Sequence, residues 1–209
     1  MRESQLVGQT VVVIGGSAGI GLETARIARA EGADVILTAR DPDRLERAGR
    51  EVGAQRTAAF DATDTASLAM FFRDLSTIDH VMVTGPGPHY TPLLEMDAAR
   101  VRDAISDHVV LALEVARNAI GKMRAGGTLL FMGGTGGRRI DHRLGIVSAA
   151  TAALPPFTAA LALEVAPSRH TRWIVSARRQ TSVRPSPSRP YTPKNAPCAC
   201  TGVVFSPCM

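Results

Sequence analysis

Apolar residues follow two rhythms along the first four fifths of the chain: short uninterrupted runs, and longer stretches where they recur every three or four positions. The runs Val11-Val12-Val13-Ile14 and Leu129-Leu130-Phe131-Met132 do not alternate with polar residues, the pattern of strands covered by helices on both faces. Strands are expected at Thr10–Ile14, Asp34–Thr38, Thr57–Asp61, His80–Thr84 and Gly127–Met132. Amphipathic helices are expected between them at Gly19–Glu31, Asp43–Val52, Thr65–Leu75 and Asp97–Met123. Repeated strand–helix–strand order predicts an α/β fold: a Rossmann-type, doubly wound parallel sheet in a three-layer αβα sandwich. The first helix should set Ile20, Ile27 and Ala28 against the sheet and stop at Gly32. Asp41 and Pro42 supply a cap and a first-turn proline for the second.

The most apolar window, Leu144–Ala166, carries Pro155, Pro156 and Glu164 and reads as a buried helix rather than a membrane span. No apolar run reaches 18 residues, and Arg2, Glu3, Ser4 and Gln5 do not open a signal peptide. A cytoplasmic protein without membrane contact is therefore expected. With 209 residues, 45% of them hydrophobic, the chain can bury one sizeable core. One domain over residues 1–167 is expected, followed by a tail over 168–209.

Charge sharpens that boundary. The formal net charge is +5, but seven of the 24 basic residues lie in the tail, which holds no Asp or Glu. The other 17, set against all 19 acidic residues, leave the body at −2. The body therefore lacks the electrostatic footprint of a nucleic-acid binder. Six of the 13 prolines and all three cysteines (Cys198, Cys200 and Cys208) also fall in the tail. That spacing supports neither a zinc site nor a disulfide framework, and no metal is expected. Beyond a short strand at Trp173–Val175, the tail should be disordered or the product of a shifted reading frame. The sheet would then lack its last strand.

The sharpest motif is Gly15-Gly16-Ser17-Ala18-Gly19-Ile20-Gly21, directly after the first strand and opening the first helix. Glycines belong where the turn takes positive φ and where the backbone must approach a pyrophosphate seated on a helix N-terminus. The spacing of Gly15, Gly19 and Gly21 resembles the Gly-x-x-x-Gly-x-Gly of short-chain dehydrogenases/reductases, with Ile14 in place of the usual threonine. Three further segments are similar, so the likeness covers residues 8 to about 167: Phe60-Asp61-Ala62-Thr63-Asp64, Ile78-Asp79-His80-Val81, and Leu161 to Pro167. The resemblance implies cofactor contacts from Gly15, Ser17, Gly19, Ile20, Gly21, Arg40, Asp61, Ala62 and Thr84. Asp61 would take the family's adenine-binding role. Arg40, closing the second strand, suits a 2′-phosphate better than a ribose hydroxyl, so NADP(H) is preferred over NAD(H).

The family's proton-transfer residues are another matter. Its Tyr-x-x-x-Lys pair falls, by family spacing, on Val147 and Thr151, its serine on Gly134 and its asparagine on His108. The chain has only Tyr90 and Tyr191, and Lys122 and Lys194, and none forms such a pair. A substitute would have to come from Thr135, Ser148, Thr151, His108, Tyr90 or the pair Asp141-His142, and the sequence does not choose among them. What the resemblance implies is an NAD(P)(H)-dependent oxidoreductase acting on a small carbonyl or alcohol. It should pair as a homodimer or homotetramer through the Asp97–Met123 and Val147–Ala166 helices. Two alternatives stand beside it: a catalytically inactive nucleotide-binding relative, and a basic tail that binds nucleic acid or an acidic surface in a salt-dependent way.

Overall fold

The computed structural model describes residues 5–85, 90–134, 141–165 and 172–173. The tail expectations, Thr135, and the ends of the expected strand at Trp173–Val175 and helix at Leu144–Ala166 lie outside those residues. By backbone proximity the chain divides into two units, Met1–Ala177 and Arg178–Met209. Every described residue belongs to the first.

That unit holds β1 (Thr10–Ile14), α1 (Gly19–Ala30), β2 (Asp34–Ala39), α2 (Pro42–Val52), β3 (Arg56–Ala59), α3 (Thr65–Arg73) and β4 (Ile78–Val83). Next come α4 (Ala98–Ile105), α5 (Leu111–Ala119), β5 (Met123–Phe131), α6 (Gly145–Val165) and β6 (Arg172–Trp173). The strands form one parallel sheet in the order β3-β2-β1-β4-β5-β6. Chain direction across the sheet reverses between β1 and β4, and in open parallel sheets ligands bind in the crevice outside the strand ends at such a point. No seventh strand occurs among the described residues.

Register explains why the strand runs are apolar throughout. Ile36, Val12, Val81 and Leu129 form one row across four strands, and all four belong to the main core with Leu68 and Phe72 of α3, Val115 of α5 and Leu154 of α6. One residue on, Leu37, Val13 and Met82 make a second row, buried on the other face, where α1 and α2 pack on β1 and β2. Two buried faces leave few polar positions in the central strands. Thr38 near the end of β2 is one buried exception, and Asp79, at the start of β4, is another. Its Oδ2 accepts from the Thr10 amide at 2.8 Å and from Arg124 Nη1 at 2.6 Å, tying three strands together.

Several expectations need correction. Ile27 does not face the sheet: it is 38% exposed. The buried face of α1 is Gly21, Thr24, Ala25 and Ala28, because α1 lies so close to the β1 turn that only small side chains fit. The helix expected at Asp97–Met123 is interrupted by a wide π-turn at Ser106–Val110 and ends in a 3₁₀ turn at Ile120–Lys122. Strand β5 begins at Met123, four residues early: its pairing to β4 jumps from Ile78–Met123 to His80–Thr128, and the residues between bulge outward. Helix α6 runs unbroken through Pro155 and Pro156. It is long and apolar enough to cross a membrane, and in this fold Ile146, Ala150, Leu154, Thr158, Leu161 and Val165 form its buried stripe.

Candidate functional site

The C-terminal ends of β1 to β4 converge on the glycine loop. The amides of Gly15 and Gly16 both donate to the Thr38 carbonyl of β2 at 2.9 Å. From the other side, Thr84 follows β4; its amide donates to the Ile14 carbonyl at 2.9 Å, and its hydroxyl to the carbonyls of Ile14 and Gly15 at 2.9 and 3.1 Å. This grip leaves no room for side chains: a Cβ on Gly15 would stand 2.1 Å from Thr84 Oγ1, and one on Gly21 would stand 2.3 Å from the Gly15 carbonyl oxygen. Gly19 is the opposite case, with φ +56° and nothing within 4 Å of where its Cβ would be. The loop thus opens a space directly over the start of α1.

That helix start has no side-chain cap. Asp41, Asp64 and Asp97 cap α2, α3 and α4 by accepting first-turn amides, whereas Ala18 precedes α1 and has no side chain to offer. The first-turn amides of a helix carry the positive end of its dipole and need an acceptor. Together, the open space over Gly19 and these amides suit a diphosphate.

Arg40 follows β2 and is exposed. Asp61 follows β3, where its Oδ1 accepts from the amide and hydroxyl of Thr63 at 2.9 and 2.8 Å. Those hydrogen bonds hold its carboxyl below the ordinary carboxylate range, and the positive charge of Arg40 adds to the effect. Ala62 is half-buried beside it. The structure therefore brings Gly15, Ser17, Gly19, Ile20, Gly21, Arg40, Asp61, Ala62 and Thr84 to one edge of the sheet. The Thr38 carbonyl, which fixes the loop through the Gly15 and Gly16 amides, was missed by sequence reasoning because nothing local marks a strand-end carbonyl as a double acceptor.

The other half of the site is sparser. On α6, Val147 has no ionisable group, and the Thr151 hydroxyl donates back to the Val147 carbonyl at 2.8 Å, so it is committed to its own helix. The Ser148 hydroxyl is buried without a partner among the described residues. His142 stands 3.2 Å from Asp141, both well exposed. They line a cleft of about 510 Å³ with Pro92, Leu93, Leu94 and Glu95 at the N-terminal end of α6. Tyr90 is nearly half exposed. His108 sits in the π-turn, its Nδ1 2.9 Å from the Ala104 carbonyl and its Nε2 3.8 Å from where a Cβ on Gly85 would lie.

Comparison with known proteins bears on this architecture. The family model for short chain dehydrogenase matches residues 9–176. The short-chain dehydrogenase/reductase ATR9 of Stachybotrys chlorohalonatus is 27% identical over 178 residues, 78% of this chain and 70% of that protein. The cyclic-di-GMP-binding biofilm dispersal mediator protein of Escherichia coli is 29% identical over 135 residues, 64% of this chain but only 56% of that protein. Among solved structures, BdcA in complex with NADPH superposes with a TM-score of 0.73 at 26% identity, covering 81% of this chain and 70% of that one. A dehydrogenase/reductase from Sinorhizobium meliloti gives 0.76 at 25%, covering 83% and 72%. The matched model spans everything from β1 to β6, and this chain belongs to the short-chain dehydrogenase/reductase family, whose members are oxidoreductases that bind a nicotinamide cofactor.

Proposed function

We propose that the chain is an NADP(H)-linked oxidoreductase acting on a small carbonyl or alcohol. The observation that carries this reading is the uncapped start of α1 beneath the open space at Gly19. In this reading the amides of the Gly15–Gly21 loop hold the diphosphate, Arg40 the 2′-phosphate, and Asp61 and Ala62 the adenine, while Thr84 keeps the loop in place. The coenzyme, when bound, supplies or accepts hydride. The cleft flanked by Leu93, Leu94 and His142 takes the substrate, with an apolar wall and a polar rim. The chain pairs with copies of itself through α4, the π-turn, α5 and α6, where Val110 of the turn and Leu163 of α6 are exposed.

A second reading, binding without turnover, is favoured by Val147 and Thr151, which leave α6 without a proton-transferring pair. The Escherichia coli relative is named for binding cyclic-di-GMP, which accords with a binding role. A fluorescence titration with NADPH, followed by turnover assays on a carbonyl panel, separates the readings. Binding with turnover supports the first, binding alone the second, and no binding refutes both. Arg40→Asp should weaken NADPH relative to NADH by about 30-fold or more, the loss of a charge-assisted phosphate contact worth about 2 kcal/mol.

A further inference from the structure

With no ionisable group at positions 147 and 151, an active site here needs another proton carrier. We propose that His108 exchanges the proton of the reacting substrate oxygen, an inference that rests on the oxidoreductase reading above.

Three features support this. First, a carbonyl oxygen only accepts, so the bond from His108 to the Ala104 carbonyl fixes the proton of the neutral ring on Nδ1 and leaves a lone pair on Nε2. Second, the backbone widens into a π-turn at this residue; such bulges inside otherwise regular helices are frequent at functional sites. The turn aims Nε2 at Gly85, where any side chain would come within van der Waals contact, and Gly85 follows Thr84, the residue that holds the glycine loop. The ring nitrogen thus faces the strand end beside the proposed coenzyme cradle. Third, the turn packs against α6, which carries no Asp, Glu, Lys, Arg or His before Glu164. Asp107 adjoins His108 on the turn, and α4 and α5, which flank the turn, carry Arg100, Arg102, Asp103, Glu114 and Arg117. The rival pair Asp141 and His142 is well exposed, so its ring competes with bulk water for any proton.

The balance is simple. In the oxidising direction Nε2 takes the hydroxyl proton while the C–H hydride leaves to the coenzyme, giving the carbonyl and an imidazolium. In the reducing direction the imidazolium returns that proton to the oxygen as hydride arrives at carbon.

The test uses the full chain with ¹³C-labelled histidine rings, the His108 resonance being assigned by its loss in His108→Gln. Addition of NADP⁺ should shift that resonance, whereas 2′-phospho-ADP-ribose, which lacks the nicotinamide, should bind and leave it in place. Equal responses to the two would overturn the proposal while leaving cofactor binding intact. Failure of either compound to bind would sink the underlying reading and the proposal with it. In parallel, His108→Ala should cut turnover on the best carbonyl of the panel by about 100-fold or more, the usual contribution of a general acid or base. NADPH affinity should stay within about twofold, and added imidazole should restore part of the rate. Where alanine loosens the turn, His108→Gln replaces it, with NADPH affinity as the check on folding. Unchanged turnover in either variant, or wild-type protein that binds NADPH and turns over nothing in the panel, refutes the role.

Discussion

Two glycines separate the cost of backbone strain from the cost of blocking a cofactor. Gly19 and Gly53 both take positive φ, +56° and +68°, and both are roomy: nothing lies within 4 Å of a Cβ on Gly19, and only Arg29 Nε, at 3.8 Å, near one on Gly53. Alanine at either position therefore incurs about the same left-handed strain, roughly 1–2 kcal/mol. For a domain of this size that lowers the melting temperature by about 2–8 °C. The surroundings differ, however. Gly53 closes α2, while the methyl of Gly19→Ala enters the open space over the uncapped amides of α1. NADPH binding should fall by about 30-fold or more in Gly19→Ala, equivalent to about 2 kcal/mol, and stay within about twofold of wild type in Gly53→Ala. Differential scanning fluorimetry gives the first quantity and NADPH fluorescence the second. Equal NADPH affinity in the two variants, with matched melting temperatures, would show that the space over Gly19 is not the diphosphate cradle.

Gly21→Ala places a methyl 2.3 Å from the Gly15 carbonyl oxygen, so loop and helix must part by about 1 Å. It should cost about 1–3 kcal/mol by overpacking, together with much of the NADPH affinity, read by the same two assays. Asp79→Ala strands the Thr10 amide and frees Arg124; a loss of about 2–3 kcal/mol should appear as a lower urea midpoint. Burial pushes the His80 ring below its ordinary value of 6.5, against the pull of Asp79. The fold therefore favours the neutral ring, and its contribution is full above about pH 6.5 and is lost as the pH falls through the lower folded value. His80→Gln should flatten the urea midpoint between pH 7.5 and 5.5 relative to wild type; an unchanged slope would exclude His80 as its source. Leu129→Ala, at a fully buried position in the central row, should cost about 3 kcal/mol and lower the melting temperature by about 6–12 °C.

How much of this was legible in the chain depends on how local each feature is. The glycine loop could be read because its demands are met within seven residues: a turn, a close approach and a helix start. The strands could be read because two-sided burial forces unbroken apolar runs. The burial of α1 was misread at Ile27, since a helical stripe of large residues gives no warning that a Cβ at Gly21 would stand only 2.3 Å from the Gly15 carbonyl oxygen, so that small residues are seated inward. The π-turn at Ser106–Val110 has no composition of its own. It was therefore absorbed into one long expected helix, which hid the setting of His108. Composition could exclude a Tyr-x-x-x-Lys pair, an absence that needs only counting. It could not select a substitute, because that choice rests on which nitrogen of a ring is already bound to a carbonyl four residues back and which strand end the other nitrogen faces. The centre of the proposed cofactor site, Gly15 to Gly21, is one contiguous segment, whereas the proposed proton carrier depends on the meeting of β4, the π-turn and α6. A chain can therefore keep the first in recognisable form while moving the second to a residue that sequence alone does not single out.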